Sequence, residues 1–327
     1  MAEIAEAELS DALAAARAGD SEAFRVLVSP YLRSLHLHCY RMLGSYDDAE
    51  EAMQDAMLRA WRGLATFEAR APLHHWLYRI ATTTCLRTIE RRRRSPVSVG
   101  EITYLQPYPD RLLEQISDVA LDPAAAVEQR ETVTLAFVSA LQRLPATQRA
   151  ILILRDVLVW TSAEVADLMH TSVPAVNSSL QRARTTMQAS ARRPTTVESL
   201  SAREREVLDR FVRAWQDCDI QALADLLRDD AILSMPPEAA AIVGRDRVAD
   251  FFATVPADGR LDLIRLVHTR ANGQPALAAY LPDGDGPCRG YGVMVLTVVD
   301  DAVAEIVGFA DPALFEHFDL PLTPPRS

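Results

Sequence analysis

Residues 161–187 hold side chains that can read a double helix. Val173, Val176, Leu180 and Ala183 recur at helical spacing, which turns Pro174, Asn177, Ser178, Gln181, Arg182 and Arg184 to the opposite side. Asparagine and glutamine amides bond adenine edges bidentately, and arginine suits guanine or phosphate. Just upstream, Thr161 and Glu164 have the spacing of a capping box, which predicts a helix starting at 162 with Val165, Ala166 and Met169 inward. His170, Thr171 and Ser172 form a three-residue turn. Ser172 then caps a second helix whose first turn tolerates Pro174. The pattern is a helix-turn-helix with its second helix shaped for a major groove, although His170 stands where glycine is frequent. A helical hairpin with a solvated polar face shares these features, so this segment alone leaves both readings open.

Two further stretches carry charge in a pattern. Residues 47–64 form an amphipathic helix with Ala49, Ala52, Met53, Ala56, Ala60 and Trp61 on its buried face. Its other face is acidic, with Asp47, Asp48, Glu51 and Asp55 beside Gln54. After a loop at 66–73, residues 74–94 place Trp76, Leu77, Ile80, Ala81 and Leu86 inside and end in Arg91–Arg94. A helix that is aromatic at its start and basic at its end suits tracking of a nucleic-acid backbone. The period places Trp76 in the core in preference to a stacking position. His36, His38 and Cys39 lie close together but inside one apolar helical run with no second ligand cluster, so they read as packing residues and no metal site is expected. The four cysteines are scattered without a CxxC pair, which argues against a disulfide framework.

The elements that must position these groups divide 327 residues into two or three domains. Residues 21–94 and 126–192 read as helical. Residues 95–125 hold four prolines and no sustained period, the signature of a linker, and 193–199 reads as a short hinge. From about 200 the pattern becomes α+β, with helices at 200–217, 220–228 and 244–255. Strand-like runs follow at Ala231–Met235, Leu261–Thr269, Ala276–Leu281, Tyr291–Val299 and Val303–Phe309. The net charge of −11 divides as 0 over 1–94, −5 over 95–131, +4 over 132–194 and −10 over 195–327. Within the first segment, residues 74–94 carry six arginines against Glu90 alone, so two basic islands stand among acidic stretches. No apolar run is long enough to span a membrane, and the N-terminus lacks a signal-peptide pattern, so a cytoplasmic protein with no membrane partner is expected.

In this order, the stretches HCYRMLGSYDDAEEAMQDAMLRAWRGL, HHWLYRIATTTCLRTIERRRR and LPATQRAILILRDVLVWTSAEVADLMHTSVPAVNSSLQRAR resemble the extracytoplasmic-function (group 4) sigma factors of the sigma-70 family. The resemblance implies region 2 at 1–94, an acidic linker at 95–125 and region 4 at 126–192. It implies docking of Asp48, Glu51, Gln54 and Asp55 on the β′ clamp helices of core RNA polymerase, with the β flap as a second contact. It assigns the −10 promoter element to His74, Arg79, Arg87, Arg91, Arg92, Arg93 and Arg94, where a base is flipped from the duplex. It assigns the −35 element to Ser172, Asn177, Ser178, Gln181, Arg182 and Arg184. Promoter DNA is the implied ligand, and no cofactor is expected.

After the hinge, residues 200–327 resemble the SnoaL-like, NTF2-like cone fold, and the stretches ANGQPALAAYL and DPALFEHFDLP look like those of the actinobacterial sigma-G type. Asp262, His268, Tyr280 and Tyr291 are conceivable pocket groups, but no paired-acid signature marks an active site. A regulatory domain modulating a non-enzymatic sigma factor is therefore expected, with room for a small-molecule ligand and for an anti-sigma factor. Two other classes stay open: a helix-turn-helix regulator with a ligand-binding domain, and a cyclase- or isomerase-type enzyme fused to a DNA-binding module.

Overall fold

The computed structural model describes residues 11–67, 72–94, 105–117, 132–190, 202–238, 240–282 and 286–325. They fall into two compact units, one comprising 11–94, 115–117 and 138–190, the other 105–114, 132–137 and 202–325. The hinge at 193–199 and residues 68–71 of the loop at 66–73 lie outside the described residues.

The first unit is all helical: α1 (Ser21–Val28), α2 (Leu32–Leu43), α3 (Tyr46–Gly63) and α4 (Leu73–Arg93), then α6 (Leu135–Gln142) from residue 138 onward, α7 (Ala146–Leu152), α8 (Ser162–Leu168) and α9 (Val173–Ser190). The intervening α5 (Asp110–Ser117) lies inside the stretch whose composition reads as linker. Helix α2 is central: every residue from Leu35 to Leu43 is buried, His36, His38 and Cys39 included. Those three therefore pack, as their apolar setting predicts, and no metal-binding group is formed among the described residues. Gly44, at φ +78°, ends α2, and Ser45 caps α3 by accepting from the Asp48 amide at 3.3 Å.

The last carbonyls of α2 have no partner within their own helix. Gln142 donates to Arg41 O at 3.1 Å, and the buried Arg149 guanidinium donates to Met42 O, to Gln142 O at 2.9 Å and to Leu144 O at 3.2 Å. Burial lowers the Arg149 pKa to about 10. These bonds tie the end of α2 to Gln142 and to α7 inside one unit.

The second unit holds α10 (Ala202–Gln216), α11 (Ile220–Leu226), α12 (Arg245–Thr254) and a six-stranded sheet. The strands are β1 (Leu227–Ser234), β2 (Ala241–Val243), β3 (Arg265–Ala271), β4 (Gln274–Pro282), β5 (Cys288–Val299) and β6 (Ala302–Phe309). Their order is β2-β1-β6-β5-β4-β3, with β1 parallel to β6 and the other pairs antiparallel. The sheet is open, as the expected α+β cone requires. Three details differ from the sequence reading. The helix expected over 220–228 ends at Leu226, and β1 begins at Leu227 and not at Ala231, because Leu227 is drawn into pairing with Val303 of β6. β2 was not anticipated because only three residues form it, and Leu261–Leu263 is a 3-10 turn with the strand beginning at Arg265.

Phe211, Trp215, Phe252, Leu277 and Leu296 belong to the core between helices and sheet, where the Trp215 indole donates to Ile264 O at 3.2 Å. On the opposite face of β4, Phe315 from α13 (Leu314–His317) seats against Tyr280 with ring centroids 5.0 Å apart. A Cβ at Gly290 would come within 2.7 Å of that Phe315 ring.

Candidate nucleic-acid and polymerase interface

Helix α8 begins at Ser162 with both halves of the expected capping box made. The Glu164 amide donates to Thr161 Oγ1 at 3.2 Å, and the Thr161 amide donates to Glu164 Oε2 at 2.7 Å. Val165, Ala166 and Leu168 are buried, with Met169 only partly so. His170 takes φ +50°, the left-handed conformation that makes glycine frequent in this turn. Ser172 accepts from the Ala175 amide at 3.3 Å and starts α9. Val176, Leu180 and Ala183 are buried as expected, but Val173 is 40% exposed, as is the whole of residues 171–175 at the start of α9.

On the outer side of α9, Asn177, Ser178, Gln181 and Arg182 are exposed. Asn177 Oδ1 accepts from the Ser162 hydroxyl at 2.8 Å, which aims its amide. Arg182 donates to the Ser178 and Ser179 hydroxyls at 2.7 and 3.0 Å. Arg184 departs from this face. It forms two hydrogen bonds with Asp156, at 2.9 and 2.6 Å, and that bonding raises its pKa.

On α3, Glu51, Gln54 and Asp55 are exposed, as is Leu58 at 53%. These four lie at i, i+3, i+4 and i+7, one stripe combining charge and apolar surface. Leu58 was missed by the sequence reading, although its spacing from Glu51 and Asp55 was visible. Asp48 belongs elsewhere: it is ion-paired with Arg92 of α4 and mostly covered. Arg91 approaches Glu51 at 3.3 Å and Arg94 approaches Glu90 at 2.8 Å, while Arg87 and Arg93 stand exposed. Part of the basic end of α4 is therefore neutralised within the fold.

The start of α4 meets the helix-turn-helix module directly. His75 stacks on Trp160 with centroids 4.2 Å apart and lies 3.6 Å from Glu164, and Arg79 is ion-paired with Asp167. Burial lowers the pKa of the neighbouring His74, with the charge of His75 adding to the effect. Trp160 is delivered by a widened turn over Ile153–Val157 followed by Val159 at φ +56°, a strained conformation for a β-branched residue. Trp76, by contrast, packs on Phe67 at 5.0 Å within a small core cluster, as its period predicts.

In the second unit, the four conceivable pocket groups do not converge. Asp262 is bonded to Arg260 at 2.9 and 2.8 Å, and this bonding lowers its pKa to about 2. His268 lies 3.5 Å from Asp209, Tyr280 faces Phe315 on the other side of the sheet, and Tyr291 is exposed.

Comparison with known proteins places these units. Residues 27–95 match sigma-70 region 2, residues 134–187 match sigma-70 region 4, and residues 208–306 match the SnoaL-like domain. The chain is 41% identical over 326 residues to the ECF RNA polymerase sigma factor SigG of Mycobacterium tuberculosis, covering 93% of this chain and 85% of that protein. It is 28% identical over 290 residues to SigJ of the same organism, covering 84% and 88%. The crystal structure of SigJ superposes with a TM-score of 0.63 at 24% identity, covering 93% of this chain and 100% of that one, a likeness of fold.

Proposed function

Because this chain belongs to the extracytoplasmic-function sigma factors, the promoter-recognition subunits of bacterial RNA polymerase, we propose that its two exposed faces divide the work of initiation in the cytoplasm. The chain binds core RNA polymerase and directs promoter-specific transcription. In our reading, Glu51, Gln54, Asp55 and Leu58 dock on the polymerase β′ clamp helices, with Asp48 contributing by holding Arg92. Ser172, Asn177, Ser178, Gln181 and Arg182 read the −35 element. His74, Arg79, Arg87 and Arg91–Arg94 read and melt the −10 element. Arg184 acts through Asp156 and not on a base.

The observation that carries this reading is α9, a capped recognition helix with two amides and an arginine on its solvent side and Val176, Leu180 and Ala183 on its buried side. Amides so placed suit base edges, whereas the ion-paired Arg184 suits packing. Elements centred 25 base pairs apart lie about 85 Å apart at a rise of 3.4 Å. The His75–Trp160 stack and the Arg79–Asp167 pair therefore have to open before both elements can be read together.

The C-terminal unit is non-catalytic in this reading, since its polar candidates point apart, and it modulates the readers in cis. The decisive experiment mixes the full chain with core polymerase and follows promoter melting. Melting that needs both chain and core supports the reading. Tight operator-like binding by the chain alone, unchanged by core, would instead assign it to the conventional regulators.

A further inference from the structure

Asn177 is the side chain on the outer face of α9 that a neighbouring helix holds. Its Oδ1 accepts from the hydroxyl of Ser162, the first residue of α8, at 2.8 Å. Ser162 can spend its hydroxyl this way because the adjoining Thr161 caps α8. Thr161 Oγ1 accepts the Glu164 amide, and the Thr161 amide and hydroxyl both donate to Glu164 Oε2. The serines beside Asn177 on its own helix are turned elsewhere, since Ser178 and Ser179 accept from Arg182 at 2.7 and 3.0 Å. Beneath the bond, Val165 of α8 and Val176 of α9 are fully buried, so the two helices that carry it are packed in place. Ser162 is half-buried and Asn177 is exposed.

An asparagine amide carries an acceptor branch and a donor branch in one plane. Holding Oδ1 towards α8 turns the Nδ2 branch away from α8. In a docked helix-turn-helix the first helix crosses the phosphate backbone and the second lies in the major groove, so that direction leads to base edges. We propose that Ser162 is a positioning residue for base selection: it makes Asn177 present hydrogen-bond donors and so sets its −35 position to guanine over adenine. This inference rests on the assignment of α9 to the −35 element. Guanine shows two acceptors in the major groove, O6 and N7, whereas adenine shows the N7 acceptor beside the N6 donor. An unrestrained asparagine turns to match adenine with one bond of each kind. Here Oδ1 already takes the Ser162 proton. Its second lone pair remains, but the amide plane is set by Ser162 and not by the base. The two N–H groups of Nδ2 suit the guanine acceptors with that plane kept.

The bond acts before DNA arrives. A side chain already held in one rotamer loses less freedom on binding than one that has to be ordered. It also makes selection a property of two helices. Ser162 lies 15 residues before Asn177, so replacing the serine changes the preference without altering any residue of the recognition helix.

The test is transcription by the full chain with core polymerase from a promoter library randomised across the −35 element, read as base preference at each position. Asn177→Ala first locates the position that Asn177 reads, as the one whose preference disappears. There the parent should favour guanine. Ser162→Ala should lower the guanine-to-adenine ratio at that position by about 5-fold or more, an effect of about 1 kcal/mol, with preferences elsewhere kept. Ser162→Thr retains the hydroxyl and should keep the parent ratio. A serine that only supports the fold, or that bonds a phosphate, would on removal lower output from all sequences alike and leave the ratio where it was. That result would overturn the inference, as would a threonine form that behaves like the alanine form. A parent that does not favour guanine at this position would overturn it too, and that measurement needs no substitution at Ser162. If Asn177→Ala moved the preference at no position, the assignment of α9 to base reading would fall instead.

Discussion

Replacing Asp167 with asparagine should loosen the contact between the two readers. Asp167 pairs with Arg79 across the two modules, and their side chains are 72% and 40% exposed. An ion pair this open to water contributes about 0.2–1 kcal/mol, so the variant should shift the closed-to-open ratio by about 1.4- to 5-fold. The His75–Trp160 stack remains and is worth about 0.5–1.5 kcal/mol. Adding His75→Ala should bring the shift to somewhere between about 3- and 70-fold, less any coupling between neighbours. Dyes at Arg62→Cys and Gln188→Cys in the Cys218→Ser/Cys288→Ser background would report reader separation in the free protein, without DNA. The distance should lengthen in the order parent, single variant, double variant. The part due to Asp167 should fade between 0.1 and 1 M salt, as the screening length falls from about 10 to about 3 Å. An unchanged distance in the double variant would refute the claim that these contacts hold the readers together. Higher DNA affinity without a longer distance would mean that the lost negative charge acts on DNA alone.

Three further outcomes follow from the geometry. Asn177→Ala should cost about 1–3 kcal/mol at one −35 position, seen as altered base preference in a promoter library; equal weakening of all sequences would assign Asn177 to phosphate. Reversing Glu51 and Asp55 should weaken binding to core polymerase by about 2 kcal/mol or more with circular dichroism unchanged, and unaltered co-purification would return this face to solvent. Burial lowers the pKa of His38 to about 3, so the folded chain resists protonation below the ordinary histidine value of 6.5. The unfolded chain then binds more protons as pH falls from 6.5 towards 3, which should remove about 2 kcal/mol of stability by pH 5. Denaturant titration of His38→Gln should show a shallower acid loss than the parent, and equal slopes would contradict this origin.

Local signals were legible wherever the relevant partner lay within one helical turn or one hairpin. Thr161 and Glu164 announce their capping box because three residues separate them, and Val176, Leu180 and Ala183 declare their face by period alone. The arginines were harder. Arg92 finds Asp48 and Arg184 finds Asp156, partners 44 and 28 residues away. A basic cluster in sequence therefore overstates the positive charge available to DNA. Trp160 escaped notice because its position depends on a widened turn and a left-handed Val159, neither of which leaves a compositional mark.

The linker at 95–125 shows the same limit in its strongest form. Proline-rich and acidic in sequence, its described part buries Leu105, Tyr108, Leu112 and Leu113 at irregular spacing and is also bonded through its backbone at Tyr108, so no helical or strand period marks it. Its principal partner, Asn272, sits at a hairpin tip 164 residues from Tyr108. In sequence, the Asn272–Gly273 pair signals only a tight turn. An ordinary hairpin asparagine would face water, whereas this one is buried with its amide shared between two distant backbone segments. A buried amide with its polar groups matched is expensive to misplace, so a turn that would otherwise need only conformational freedom gains a definite address.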